Sequence, residues 1–112
     1  MRSTDHREIG GYKVIAMVMT RTAQIHRGEK LPFVVLLDRS LPDRNLPQGM
    51  PEYMTARWDG ESDSWHAGEY DLSPSEAANS MRRRSGQDCE WILDLLDYKD
   101  GDRVRRYKEI YG

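Results

Sequence analysis

The sequence predicts an α+β fold, in which a four-stranded antiparallel meander is followed by two or three helices packed on one face. Strand-like segments come first in the 112 residues and helix-like segments follow them, an order typical of α+β proteins. Two runs, YKVIAMVMTR (12–21) and LPFVVLLDR (31–39), are apolar on both sides, as buried strands are. The length indicates one domain with one hydrophobic core rather than two.

Turn signals delimit these first two strands. Residues 1–10 are largely polar, and we expect them to be flexible. A turn around Gly28 joins the two apolar runs, and Pro32 fits the first position of its strand, where a missing N–H costs least. Residues 40–51 contain three prolines and predict a long loop, a feature that is usually functional or mobile.

The next two strands form a predicted hairpin. EYMTARW (52–58) alternates in the manner of a half-buried strand, and SWHAGEYDL (64–72) returns beside it. Asp59-Gly60 is a strong turn signal between them. Regular alternation would place Trp65, Ala67 and Glu69 on one face and His66, Gly68 and Tyr70 on the other.

The first helix has well-defined start and stop signals. Ser73 is the predicted N-cap, Pro74 takes the first helical position, and Glu76 completes a capping box. We expect Ala77, Ala78 and Met81 to face the core. Ser85-Gly86 ends the helix after three arginines, which suit the negative end of the helix dipole.

The last third of the chain allows two interpretations. A second helix from Asp88 would present Trp91, Ile92, Leu95 and Leu96 as an apolar stripe and end at KDGD (99–102). A third helix would then place Val104, Tyr107 and Tyr111 on one face. The alternative is a C-terminal hairpin over residues 91–110 that turns at Asp100-Gly101.

Composition excludes several classes of protein. No apolar run approaches the roughly 20 residues of a membrane-spanning helix, and the N-terminus has no apolar signal region. The single cysteine, Cys89, cannot form an internal disulfide, so we expect a reducing, cytoplasmic location. We expect no cofactor, because the phosphate-loop, dinucleotide, nucleophile-elbow and zinc-protease motifs are absent.

Two surface regions are candidates for binding. An acidic hairpin bears aromatic residues of the kind that anchor protein interfaces, and we take its residues as protein-binding candidates: Trp58, Asp59, Glu61, Asp63, Trp65 and Tyr70. Two basic clusters, the second with interleaved tyrosines, have the composition of nucleic-acid contacts. They contain Arg82, Arg83, Arg84, Arg103, Arg105, Arg106 and Lys108.

Isolated reactive residues give weaker candidates. His66 is the best placed of three scattered histidines, but the ordinary interpretation is a partly exposed strand residue. Cys89 near a helix start could be a nucleophile, yet the neighbouring Asp88 and Glu90 oppose a thiolate. Asp94 and Asp97 are spaced as a carboxylate pair, which usually indicates a solvated helix face. The dispersed histidines and lone cysteine predict no metal site.

Two segments resemble known proteins. EYMTARW…SWHAGEYDLSPSEAANSMRRR (52–84) resembles a strand–strand–helix module of short uncharacterised proteins from bacterial phages and plasmids. That resemblance implies no activity and assigns no functional residue. DYKDGDRVRRYKEIY (97–111) is similar to the final hairpin of cone-shaped folds of the nuclear-transport-factor type, although this chain lacks their long opening helix.

These observations favour a non-enzymatic protein that binds another protein. We expect a small accessory factor or inhibitor of the mobile-element kind, with the acidic hairpin as its contact surface. The alternative is a nucleic-acid-binding regulator that uses Arg82–Arg84 and the C-terminal basic cluster. An enzyme centred on His66 has no motif to support it.

Overall fold

The computed structural model describes residues 8–26, 28–39 and 52–111. The predicted loop at 40–51 therefore lies outside the described residues. The elements are β1 (Glu8–Ile9), β2 (Tyr12–His26), β3 (Glu29–Asp38), β4 (Tyr53–Trp58), β5 (His66–Leu72), α1 (Pro74–Ser85) and α2 (Trp91–Tyr111). They confirm the α+β class and its antiparallel sheet. The described part of the chain has five strands and two helices.

The extra strand, β1, begins inside the segment that the sequence predicted to be flexible. It pairs with the start of β2 through Glu8–Lys13 and Ile9–Tyr12. Gly10 and Gly11 connect the two strands with positive φ angles of 59° and 87°, the backbone that a two-residue hairpin turn requires. Ile9 is almost fully buried, so the strand that the sequence did not predict contributes a side chain to the interior.

All neighbouring strands are antiparallel, in the order β1-β2-β3-β4-β5. β2 and β3 are longer than the strands beside them, and their pairing is interrupted between Met19 and Gln24. Pro32 lies opposite that interruption, and its carbonyl accepts a hydrogen bond from the Thr20 hydroxyl at 3.1 Å. A proline is tolerated there because a bulge needs no ladder N–H. The strand begins at Glu29, so the prediction that Pro32 would begin it is wrong.

Both helices pack on one face of the sheet, as the sequence predicted. α1 supplies Ala77, Ala78 and Met81 to a buried cluster in which Ile92, Leu96 and Val104 of α2 also take part. The sheet contributes its own apolar side chains to the same cluster, namely Ala16, Val34, Leu36 and Tyr53. Cys89 completes it from the connection between the helices.

The opposite face of the sheet carries a second buried cluster. Its members are Ile9, Val35, Leu37, Met54 and Ala56, with Tyr12, Val14, Trp58 and Trp65 packed against them. The prediction of a single core is therefore wrong. The prediction of a half-buried strand at 52–58 is also wrong, because β4 is covered on both faces from Tyr53 to Ala56. The sheet curls enough for the β4–β5 connection to reach the β1–β2 turn, where the Gly10 N–H donates to Asp63 at 2.9 Å.

β5 departs from the regular alternation that the sequence suggested. Its pairing with β4 shifts twice, between Tyr53 and Thr55 and again between Thr55 and Arg57. Ala67 and Asp71 adopt positive φ angles of 55° and 60° in the two shifted segments. Bulges of this kind are common at sheet edges, where they bend the strand and increase its twist.

α1 begins and ends as predicted. The Glu76 N–H donates to the Ser73 hydroxyl at 3.2 Å, and the Ser73 N–H donates to the Glu76 carboxylate at 2.9 Å. At the other end Gly86 has a φ of 74°, and its N–H donates to the carbonyl of Arg82. The two bonds between Ser73 and Glu76 form the reciprocal capping box that starts the helix.

α2 is one continuous helix through residues 99–102. The prediction that KDGD ends a helix is wrong, and so are the alternative hairpin over 91–110 and the cone-fold hairpin at 97–111. One glycine costs a helix about 1 kcal/mol, and burial of Val104 beyond it offsets that cost. The helix starts at Trp91 rather than Asp88, because the Asp88 carboxylate accepts the Glu90 N–H in a preceding turn. Trp91 itself is exposed.

Arg39 and Glu52 join β3 and β4 at the two ends of the undescribed segment. The Arg39 N–H donates to the Glu52 carbonyl at 2.8 Å, and the two side chains form an ion pair at 3.0 Å. The Arg39 guanidinium also lies 5.3 Å from the ring centre of Tyr12 and 4.9 Å from that of Tyr70, within the range of cation–π attraction.

Candidate functional site

Most of the outer edge of β2 has no neighbouring strand in the part of the chain that the structure describes. β1 pairs only with Tyr12 and Lys13, and no other strand among the described residues pairs with that side of β2. The Met19 carbonyl accepts a hydrogen bond from the Gln87 side chain at 3.3 Å, so it points away from β3. The N–H and C=O of one residue share a direction in an antiparallel strand, and residues two apart repeat it. Met17 therefore also directs its backbone groups outward.

Apolar side chains form a row that runs inward from this edge. Met19 pairs with Phe33, and Phe33 pairs with Trp58 on the next strand. The Phe33 and Trp58 rings lie 6.0 Å apart, centre to centre. Met17 is 41% exposed and Met19 is 59% exposed, although both lie on the face of the second buried cluster. We call Met17, Met19, Phe33 and Trp58 the edge row.

The acidic connection between β4 and β5 folds beside the inner end of the edge row. Asp59 accepts the N–H groups of Glu61 and Ser62 at 2.8 and 2.9 Å. Gly60, with a φ of 99°, lies so close to the Phe33 ring that an added Cβ would be 2.8 Å from it. Glu61 is exposed, so its carboxylate lies at the surface near the edge row.

The aromatic residues of the predicted protein-binding surface have contacts within the molecule. The Trp58 indole N–H donates to the Ser62 carbonyl at 2.8 Å. Trp65 packs 5.4 Å from Tyr12, centre to centre, and covers the second cluster. Tyr70 is half exposed and faces Arg39. These tryptophans pack on the face away from the helices rather than against them.

The arginines of the predicted nucleic-acid surface have different environments. Arg82 donates to Asn79 within α1, and Arg105 pairs with Asp102 within α2. Arg83 pairs with Glu69 at 2.6 Å. Arg84 crosses to the sheet, where it donates to the Thr55 carbonyl and hydroxyl and to the carbonyl of Ala67. The side chains of Arg103, Arg106 and Lys108 lie outside the described part.

The isolated reactive residues do not come together. Cys89 is buried, and burial raises the pKa of its thiol, with the charge of Asp88 adding to the effect. Asp94 and Asp97 are exposed on α2, and His66 is half-buried on β5. Within the described residues no three histidine, cysteine or carboxylate side chains are placed to share a metal ion.

A shallow groove of about 190 Å³ lies between α1 and the start of α2. Arg82 and Asn79 line one side, Glu90 and Leu93 line the other, and Cys89 is among the lining residues. Its acidic and basic groups come from opposite walls, and the thiol is buried. The groove therefore offers no reactive group in an activated state.

Sequence reasoning missed the exposed methionines of the edge row. It assigned Met17 and Met19 to a strand buried on both sides, because the run 12–21 is apolar throughout. No local pattern marks this exposure, which follows from β1 pairing with only the first two residues of β2, so that no described strand covers the rest of that edge.

Comparison with protein-family models, with curated protein sequences and with solved structures found no match for this chain. Neither helix in the described residues combines the length and apolar character needed to cross a bilayer.

Proposed function

We propose that this chain is a small protein-binding accessory factor, and that it binds an extended segment of its partner along the outer edge of β2. The observation that carries this proposal is the outer edge of β2, which no strand among the described residues covers beyond Lys13, with the exposed side chains of Met17 and Met19 along it. Strand addition at such an edge obtains affinity from main-chain hydrogen bonds and specificity from alternate side chains. Methionine suits this role because its flexible side chain adapts to different apolar surfaces.

The partner segment should be apolar at alternate positions. Side chains that project onto Met17 and Met19 would extend the edge row outward by another strand. The Gln87 side chain, which bonds the Met19 carbonyl, would be displaced by the incoming N–H.

The experiment compares proline substitutions at neighbouring positions of β2. Met17→Pro removes an outward N–H, whereas Val18→Pro removes one that faces β3. Met17→Pro should therefore stay folded and lose the partner, while Val18→Pro should lose stability. Binding is measured by capture from nuclease-treated extract of the native host, with a photo-cross-linking residue at position 19 to show where the captured protein lies.

Matched lysine variants distinguish binding at this edge from non-specific binding to exposed apolar side chains. Met19→Lys should abolish capture, and Tyr98→Lys, at an 88% exposed position on α2, should leave it unchanged. Capture that persists in Met17→Pro and Met19→Lys contradicts the proposal. So does capture that is seen in a parallel untreated extract but lost after nuclease treatment, or cross-linking at position 19 only to a second copy of this chain.

A further inference from the structure

Three arginines converge where the end of α1 meets β4 and β5. Arg83 and Arg84 come from the last turn of α1, and Arg57 comes from β4. Arg57 pairs with Val34 of the helix-side cluster, so its side chain lies on the same face as α1. Arg57 is two residues from Thr55, whose hydroxyl accepts a bond from Arg84. Arg57 also pairs with His66, and the carbonyl of the next residue, Ala67, accepts another bond from Arg84.

Glu69 is the acidic side chain that faces these arginines. It accepts hydrogen bonds from Arg83 and from Ser80, both at 2.6 Å. Burial alone would raise the pKa of Glu69, but the bonds from Ser80 and Arg83 and the charge of Arg84 outweigh it and lower the pKa. Glu69 is therefore ionised at neutral pH. The arginine cluster, which we define as Arg57, Arg83, Arg84 and Glu69, carries two positive charges in excess.

The excess charge is incompletely compensated within the described residues. The Nη1 atom of Arg57 is buried and has no hydrogen-bond partner there. Burial lowers the pKa of both Arg57 and Arg84. The positive charge of Arg83 lowers these pKa values further, whereas the negative charge of Glu69 raises them. A buried guanidinium N–H without an acceptor is costly, and a bound anion beside the cluster would offset its excess positive charge.

We propose that the arginine cluster binds a small molecule that bears a phosphomonoester dianion. A doubly charged phosphate matches the excess of two charges, and guanidinium forks match the geometry of phosphate oxygens. Arg83 is 60% exposed and gives the ligand access, whereas Arg57 and Arg84 are half-buried. The site is independent of the β2 edge, because its side chains lie on the helix-bearing face of the sheet and on β5.

The test is a titration of the ¹⁵N-labelled chain with inorganic phosphate, adenosine 5′-monophosphate and glucose 6-phosphate at constant ionic strength. The arginine Nε–H signals of Arg57 and Arg84 should shift and saturate. Comparing the three probes shows whether the group attached to the phosphate contributes to affinity. A single-stranded oligothymidylate at equal phosphate concentration tests whether a phosphodiester binds as well.

Arg57→Gln should weaken phosphate binding about tenfold, the effect of losing one charge-assisted contact. Arg82→Gln is the matched control, because Arg82 is exposed in the same turn but bonds only Asn79 among the described residues. If Arg57→Gln fails to fold, the exposed Arg83→Gln serves instead and should weaken binding several-fold. Unchanged affinity in these variants, equal loss in Arg82→Gln, or tighter binding of oligothymidylate overturns the proposal.

Discussion

Ser73 and Glu76 begin α1 with a reciprocal pair of hydrogen bonds, in which each side chain accepts the backbone N–H of the other residue. The Ser73 hydroxyl accepts the N–H of Glu76, and the Glu76 carboxylate accepts the N–H of Ser73. Ser73 and Glu76 lie three positions apart in the chain, so the sequence alone predicted the arrangement correctly. Residue-scale features of this kind are predictable because every participant lies within one turn.

Ser73→Ala should lower the free energy of unfolding by about 1 kcal/mol, because one N–H at the helix start loses its acceptor. Ser75→Ala is the matched control, since Ser75 is exposed in the same helical turn. Urea denaturation followed by circular dichroism measures both. Equal effects of the two substitutions would contradict the role of the cap.

Asp59 organises the β4–β5 connection, and its pKa reports on that role. Two hydrogen bonds lower the pKa of its carboxyl below the ordinary value of 3.8. The bond accepted from the Glu61 N–H has the larger effect, and the bond accepted from the Ser62 N–H adds to it. Because the folded-state pKa is depressed, the stabilisation is complete above the unfolded-state value. It is lost as the pH falls through the folded-state value.

Asp59→Asn should therefore destabilise the protein more at neutral pH than in acid. The difference between wild type and variant, measured as the urea midpoint at several pH values, should shrink below about pH 4. A difference that stays constant from neutral pH to strong acid would show that the charge of Asp59 contributes nothing.

At the scale of elements, α2 shows tertiary contacts overriding a local signal. Gly101 and its charged neighbours resemble a turn, which is why the sequence suggested two short helices or a hairpin. The structure instead continues the helix through Gly101 and buries Val104 against α1 and the sheet. That burial depends on residues far away in the chain, so no local pattern could have predicted it.

Gly101→Ala should stabilise the protein by about 0.5–1 kcal/mol, because alanine loses less backbone entropy in a helix. An added Cβ would meet only the Arg105 guanidinium, at 3.6 Å. Gly86→Ala is the contrasting variant and should destabilise, since Gly86 has a φ of 74° and faces the Arg21 side chain at 3.3 Å. Thermal unfolding that shifts in the same direction for both variants would contradict a continuous α2.

At the scale of the whole molecule, the two faces of the sheet are covered by different means. Helices cover one face, whereas β1 and the β4–β5 connection cover the other. The sequence predicted the first layer through helical periodicity. It could not predict the second, because the bond between Gly10 and Asp63 joins residues 53 positions apart.

Trp65→Ala should destabilise the whole domain by about 2–3 kcal/mol, because it removes one of the two tryptophan side chains that cover the second cluster. Trp91→Ala is the matched control: Trp91 is 45% exposed at the start of α2 and should cost much less. Both are measured by urea denaturation, and comparable losses would show that the second cluster contributes little to folding.

The bond between Arg39 and Glu52 has a consequence for engineering. Backbone and side chain both join these residues, so contacts of the described residues hold β3 and β4 together at this end, where twelve residues connect the strands. Loop-closure entropy grows slowly, at about 0.6 kcal/mol for each doubling of length. A fluorescent reporter domain inserted at residues 45–46 should therefore leave the unfolding midpoint nearly unchanged, and this connection would then serve as the attachment point for following the protein in living cells.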